Sequence, residues 1–161
     1  MKFLEWLNAF LNKVLLVLGG IAVLALMTLA TANVVLRIFY APIRGTYEIV
    51  SFLGALVIAF ALGYTQKRKD NIIVDILTER FPERLARLVD TFAYLVMTIF
   101  FSIVTWQVFV WGAKIWRTGE LSETLKVIYH PFILAVGFGF GVLALTTLTD
   151  FLNKILNRKE G

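Results

Sequence analysis

The run VLLVLGGIAVLALMTLATANVVL, residues 14–36, holds no Asp, Glu, Lys or Arg and stops at Arg37. A hydrocarbon core about 30 Å thick takes about 20 helical residues at about 1.5 Å each, so this run is long enough to cross it. Three more charge-free runs follow, at 49–66, 91–113 and 127–149. The chain therefore reads as a single membrane domain, all-α and integral, with four transmembrane helices, the second barely long enough. Composition agrees. Of 161 residues, 59% are hydrophobic and 17% charged, where a soluble domain carries about a quarter charged, and the mean hydropathy is +0.79.

What lies outside the runs is too small for a second domain. The longest connection, 67–90, is far below the size that folds independently. No ATPase, kinase or nucleic-acid module fits, and the net charge of +5 comes from basic residues beside the spans, where a lipid surface attracts them. With no cysteine, disulfides, thiolate chemistry and Cys-ligated metals are excluded. Orientation follows from Lys and Arg, which resist translocation near a span. Eleven lie in the two tails and the 67–90 connection, and five (Arg37, Arg44, Lys114, Arg117 and Lys126) lie in the other two connections. Both termini are thus expected to be cytoplasmic. Ala30-Thr31-Ala32 resembles a signal-peptidase site, but an apolar run as long as 14–36 that ends in arginine reads as an anchor rather than a cleaved leader.

Two amphipathic stretches are expected to lie in the membrane surface. Positions 1–13 place Phe3, Leu4, Leu7, Phe10 and Leu11 on one helical face, with Trp6 suited to the interface. Between helices 2 and 3, residues 71–80 set Ile72, Ile73, Ile76 and Leu77 opposite Asp75, Glu79 and Arg80, the pattern of a helix in the headgroup plane. Pro82 then allows helix 3 to begin near Glu83. Within the spans, Ala55, Ala59 and Gly63 form a strip without bulk. Ala135, Gly137, Gly139 and Gly141 form a second strip, pairing 135 with 139 and 137 with 141. Such strips let helices approach closely, within this four-helix unit or against a partner subunit.

The runs keep no ionisable residue inside, which argues against a proton relay, ion pathway or catalytic centre. A single histidine, His130 in Tyr129-His130-Pro131, cannot by itself supply a bis-histidine haem or a zinc site. It reads as a structural interfacial residue. A pH role would need Glu48, Glu120 or Glu123 beside it. Trp106, Trp111 and Trp116 read as an interfacial belt, and Asn33, near Thr28 and Thr31, as a cross-helix hydrogen-bonding group. Arg37 and Glu48 flank one short outer loop broken by Pro42 and Gly45. They are expected either to pair with each other or, with Arg44, to form a polar outer surface for a periplasmic partner.

Several features together resemble a known family: Arg37 closing helix 1, Pro42 and then Glu48 opening helix 2, Gly63 near its end, Asp70-Asn-Ile-Ile-Val-Asp75 followed by Phe81-Pro82, and Gly119-Glu120 leading to Leu125-Lys126-Val127-Ile128. The chain is similar to the small membrane subunit, DctQ type, of the tripartite ATP-independent periplasmic (TRAP) transporters. It departs from that pattern at Asn71, where the family commonly has histidine. The resemblance implies a bacterial inner-membrane scaffold for a large membrane subunit that itself binds substrate and sodium, with a soluble periplasmic protein delivering an organic acid. No cofactor is expected on this chain, and it looks like the unfused form, its large partner being a separate polypeptide. Ala55, Ala59, Gly63, Gly137 and Gly141 are then candidates for the subunit interface, and Arg37, Arg44 and Glu48 for periplasmic contacts. The alternative is an autonomous four-helix transporter or channel acting as a homo-oligomer, with a membrane enzyme subunit third.

Overall fold

The computed structural model describes residues 2–68 and 83–156. Among them lie four helices: α1 (Lys2–Phe39), α2 (Thr46–Arg68), α3 (Glu83–Thr118) and α4 (His130–Leu156). Each is long and apolar enough to cross a membrane. The helices alternate in direction. The α1–α2 and α3–α4 connections therefore share one end of the molecule, the loop end, while the start of α1 and the end of α4 share the other, the terminal end.

The amino-terminal segment, through Lys13, does not form a separate surface helix. It continues α1 without a break into one helix of 38 residues, about 57 Å long. The amphipathic pattern was real, but the face that anchors this segment is polar: Asn8 and Asn12 are buried, while Phe3, Trp6 and Phe10 stack along the exposed side at centroid separations of 6.4 and 5.8 Å. The surface helix expected at 71–80, with Ile72, Ile73, Ile76 and Leu77, lies outside the described residues.

The helices pack in the order α1, α2, α4, α3, with α3 resting on α4 and a lighter contact between α1 and α4. This is an open row rather than a closed bundle. Its core is the junction of α1, α2 and α4, where Leu15, Ala59, Phe60 and Val142 are buried and Leu11, Leu56, Ala135 and Val136 pack around them. The glycines of α4 work on two faces. A Cβ on Gly139 would stand 2.8 Å from the Ala59 carbonyl oxygen, so α2 and α4 touch backbone to backbone there. Gly137 faces Val108 and Phe109 of α3, and Gly141 faces Thr105 of α3.

Hydroxyl groups in apolar helices also need partners, because lipid offers none. Thr28, Ser51, Thr65, Thr98, Ser102 and Thr105 each donate to the carbonyl four residues earlier in their own helix, at 2.7–3.1 Å. These side chains are thereby satisfied without a neighbouring helix.

Candidate functional site

Two polar assemblies stand out, one at each end of the row. At the loop end, the α3–α4 connection folds back on itself: the Ser122 amide donates to the Val127 carbonyl at 3.0 Å, and the Val127 amide donates to Ser122 Oγ at 3.2 Å. Lys126 takes a positive φ of 54° at the bend. This turn is clipped onto the α1–α2 loop. Glu48, in the first turn of α2, accepts hydrogen bonds from the backbone amides of Thr124 and Leu125. Leu125 sits against Gly45, whose φ of 74° and contact with the Leu125 side chain leave no room for a Cβ. Here glycine is required twice, by backbone conformation and by space.

The expected Arg37–Glu48 pair is absent among the described residues. Two adjacent backbone N–H groups hold the carboxylate instead, which satisfies donors of a turn that has no helix to satisfy them. The α1–α2 hairpin is fixed by Asn33, whose Oδ1 accepts from the Ile43 amide at 2.9 Å; the partner of Asn33 is thus loop backbone rather than another span. Thr46 closes the same loop by donating to the Ile43 carbonyl at 2.7 Å. Arg37 and Arg44 are exposed. Glu48→Gln keeps the shape but replaces one acceptor oxygen with an amide NH2, a donor set against a backbone N–H. Hydrogen–deuterium exchange at Thr124 and Leu125 is expected to rise about tenfold, and unchanged protection at both amides would show that the clip does not hold the turn.

His130 begins α4 stacked on Trp116, with ring centroids 5.7 Å apart. Its neighbour Tyr129 stacks on Phe52 and donates to Glu120 at 3.1 Å, while Thr118 donates to the other Glu120 oxygen at 3.0 Å. Desolvation, and then the Glu120 carboxylate, push the Tyr129 phenol above its ordinary value. Trp106, Trp111 and Trp116 are all exposed. Among the described residues no group of three His, Asp or Glu side chains is placed to hold a metal ion.

At the terminal end, α4 presents three polar residues spaced four apart, each reaching a different helix. Thr146 meets α1: the Asn12 amide nitrogen lies 3.1 Å from Thr146 Oγ1, 2.7 Å from Asn8 Oδ1 and 2.9 Å from the Asn8 carbonyl. Thr146 Oγ1 is 2.8 Å from Asn8 Oδ1 in turn. Asp150 meets α2, accepting from Gln66 at 3.2 Å. Lys154 meets α3 through a 2.7 Å ion pair with Asp90. Residues at i, i+4 and i+8 share one helical stripe, so α4 is the common member of all three contacts. In the innermost node, Asn12 is 0% exposed and its Oδ1 has no hydrogen-bond partner. That oxygen presses on Gly63, where a Cβ would come within 2.5 Å of it.

Sequence reasoning missed Asn8 and Asn12. Their spacing of four, on the side opposite the aromatic stack, was the available signal. The small residues are found as follows: Ala59 and Gly63 face α4 and α1 within the chain, Gly137 and Gly141 face α3, and Ala55 is exposed.

Among the described residues, the geometry is a row of spans tied together at both ends. A family model described as tripartite ATP-independent periplasmic transporters, DctQ component, matches residues 26–157. The chain belongs to the DctQ family. It is thus a small TRAP transporter subunit and a multi-pass membrane protein. The family match spans the Glu48 clip, the glycine faces and the α4 stripe of Thr146, Asp150 and Lys154, and leaves Asn8 and Asn12 of this DctQ component outside it. No curated protein matches the chain.

Proposed function

We propose that this DctQ component is the scaffold of a sodium-coupled TRAP uptake system for organic acids in a bacterial inner membrane. A separate large membrane subunit binds substrate and sodium, a periplasmic binding protein delivers the substrate, and both termini of this chain are cytoplasmic. The observation that carries the reading is the open row. A chain whose spans keep every ionisable residue at their margins has no route for a charged substrate, yet a row tied at both ends by polar contacts is a stiff surface for a moving partner. The excess of Lys and Arg in the tails and the 67–90 connection supports the orientation.

The docking role proposed for Ala55, Ala59, Gly63, Gly137 and Gly141 divides in two. Ala55 is exposed on α2, beside Gly54, which has nothing within 4 Å of an added Cβ; this face is open to a partner helix. The other four shape the row from within. At the loop end, Arg37, Arg44 and Glu48 face the periplasm.

Purification of tagged chain from its native membrane in mild detergent tests the reading. A large multi-span protein is expected to co-elute in stoichiometric amount, and vesicles holding only this chain are expected to show no uptake. Elution as a homo-oligomer that transports in the absence of other subunits would replace the scaffold with an autonomous transporter.

A further inference from the structure

Near the middle of the membrane, α3 turns a carboxamide outward. Thr105, Val108 and Gly112 of α3 face Gly141, Gly137 and Leu134 of α4, so Gln107 lies level with the stretch between Gly137 and Gly141, at the centre of the charge-free run 127–149. Gln107 is exposed on the side of α3 away from α4, and α3 is the end member of the row. Asn33 and Gln66, the other carboxamides of the charge-free runs, bond within the chain to the Ile43 amide and Asp150. Thr98, Ser102 and Thr105 donate to carbonyls of their own helix. Gln107 has no partner among the described residues. Beside it, the indole N–H of Trp106, a residue 69% exposed, is without one too. Trp106 stands about 15 Å deeper along the helix than Trp116, too deep for an interfacial belt.

We infer that the seam Val96, Phe100, Ile103, Gln107, Val110 and Lys114 is the surface on which a transmembrane helix of the large membrane subunit packs, with Gln107 hydrogen-bonded across the contact. These positions alternate at spacings of four and three and are all exposed, the spacing by which one helix lays a continuous face along another. Lipid offers no hydrogen bond at that depth, so the carboxamide needs a partner that itself spans the membrane, and a soluble protein does not reach it. Lys114 specifies the partner further. It lies two turns nearer the loop end on the same seam and forms no ion pair with Glu48, Glu120, Glu123 or any other described residue. A second copy of this chain would set Lys114 against Lys114, and like charges repel. The partner helix thus presents a hydrogen-bonding side chain opposite Gln107 and a carboxylate about 10 Å farther toward the loop end. The inference rests on the scaffold reading and deepens it, adding the free edge of the row to the open face of α2.

The test uses the chain co-expressed with its large subunit in the native membrane. The chain has no cysteine, so Ile103→Cys and Val110→Cys each give a single site for a benzophenone maleimide. Photo-adducts with the large subunit are expected from both. Gln107→Leu, which keeps the size and suits lipid better, is expected to lower the large subunit retained in mild detergent about fivefold, and Lys114→Glu by a similar factor. The thermal midpoint of the isolated Gln107→Leu chain should stay with wild type, because no contact within the chain is lost. A lowered midpoint would give Gln107 a role inside this chain and overturn the inference. Adducts at twice the mass of this chain would assign the seam to a second copy, and adducts with lipid alone would assign it to the bilayer; either overturns it, as does wild-type retention in both variants. In each of these cases a large subunit that still co-purifies leaves the scaffold standing, whereas a wild-type chain that purifies without it overturns both.

Discussion

Asn12→Asp is expected to lose about 3 to 5 kcal/mol of stability at pH 7, the scale of an uncompensated buried charge. The exchange alters one heavy atom and no shape, so the loss isolates hydrogen-bond chemistry. The Asn12 amide nitrogen faces the Asn8 carbonyl, Asn8 Oδ1 and Thr146 Oγ1, and the first two only accept. A carboxylate there would set oxygen against oxygen in a site sealed from water, beside Gly63 and Val142. The folded chain relieves this only by keeping the aspartate protonated, which raises its pKa above the unfolded value of about 3.9. For a carboxyl raised in the folded state, the penalty is absent below the unfolded pKa. It grows as pH rises and is complete above the folded pKa. The deficit relative to wild type should therefore shrink between pH 7 and pH 5. Asn12→Leu serves as the control, because it removes the unpaired Oδ1 together with the donor; its smaller loss should not vary with pH. Thermal melts in mild detergent at both pH values decide the matter. An Asn12→Asp chain melting with wild type at pH 7 would mean that water reaches the node.

Gly139→Val should separate α2 from α4. An added Cβ meets the Ala59 carbonyl oxygen at 2.8 Å, its carbonyl carbon at 2.9 Å and its Cβ at 3.0 Å, and backbone cannot move aside as a side-chain tip can. Two further methyl groups worsen the clash. Overpacking of this kind costs about 1 to 3 kcal/mol, and the upper end is expected where the opposing atoms are main chain. The core at Leu15, Phe60 and Val142 lies at the same junction, so a parted α2–α4 contact also loosens α1. Gly20→Val is the matched control: nothing lies within 4 Å of a Cβ at Gly20, and its thermal midpoint should stay with wild type. Equal midpoints for the Gly139 and Gly20 variants would show that the α2–α4 approach does not limit stability.

The four helices were legible because the bilayer imposes a single strong requirement. A span must be long, apolar and internally hydrogen-bonded, and an unbroken absence of charge over runs such as 14–36 or 91–113 answers to little else. The small-residue strips were legible as close-approach faces, but the pattern Ala59–Gly63 or Gly137–Gly141 is the same whether the approaching helix belongs to this chain or to another. Only the positions of α1, α3 and α4 show what each glycine meets here. Glu48 makes the point at the loop end. In sequence its nearest cation is Arg44 and Arg37 lies across the loop, yet its oxygens point to amides 76 and 77 residues away, since unsatisfied turn donors compete better than an exposed guanidinium that water already solvates.

The amino segment shows the same division. Its pattern of Phe3, Trp6 and Phe10 specifies that one face is apolar, and the surrounding apolar run specifies that a span follows. Whether the segment bends onto the surface or continues the span depends on the polar face, and Asn8 and Asn12 find their partner in Thr146, 134 positions beyond Asn12. Sequence by itself thus determined the number of spans and the charge-free stretch at the heart of each, because those follow from the transfer of each residue between water and lipid, a local property. Tertiary structure decided the order α1, α2, α4, α3, the unbroken course of α1 from Lys2 to Phe39 and the partners of Asn12, Asn33 and Glu48. A hydrogen bond in a low-dielectric interior goes to whichever donor or acceptor packing brings within about 3 Å, and contact at that range between distant residues exists only once the helices have assembled.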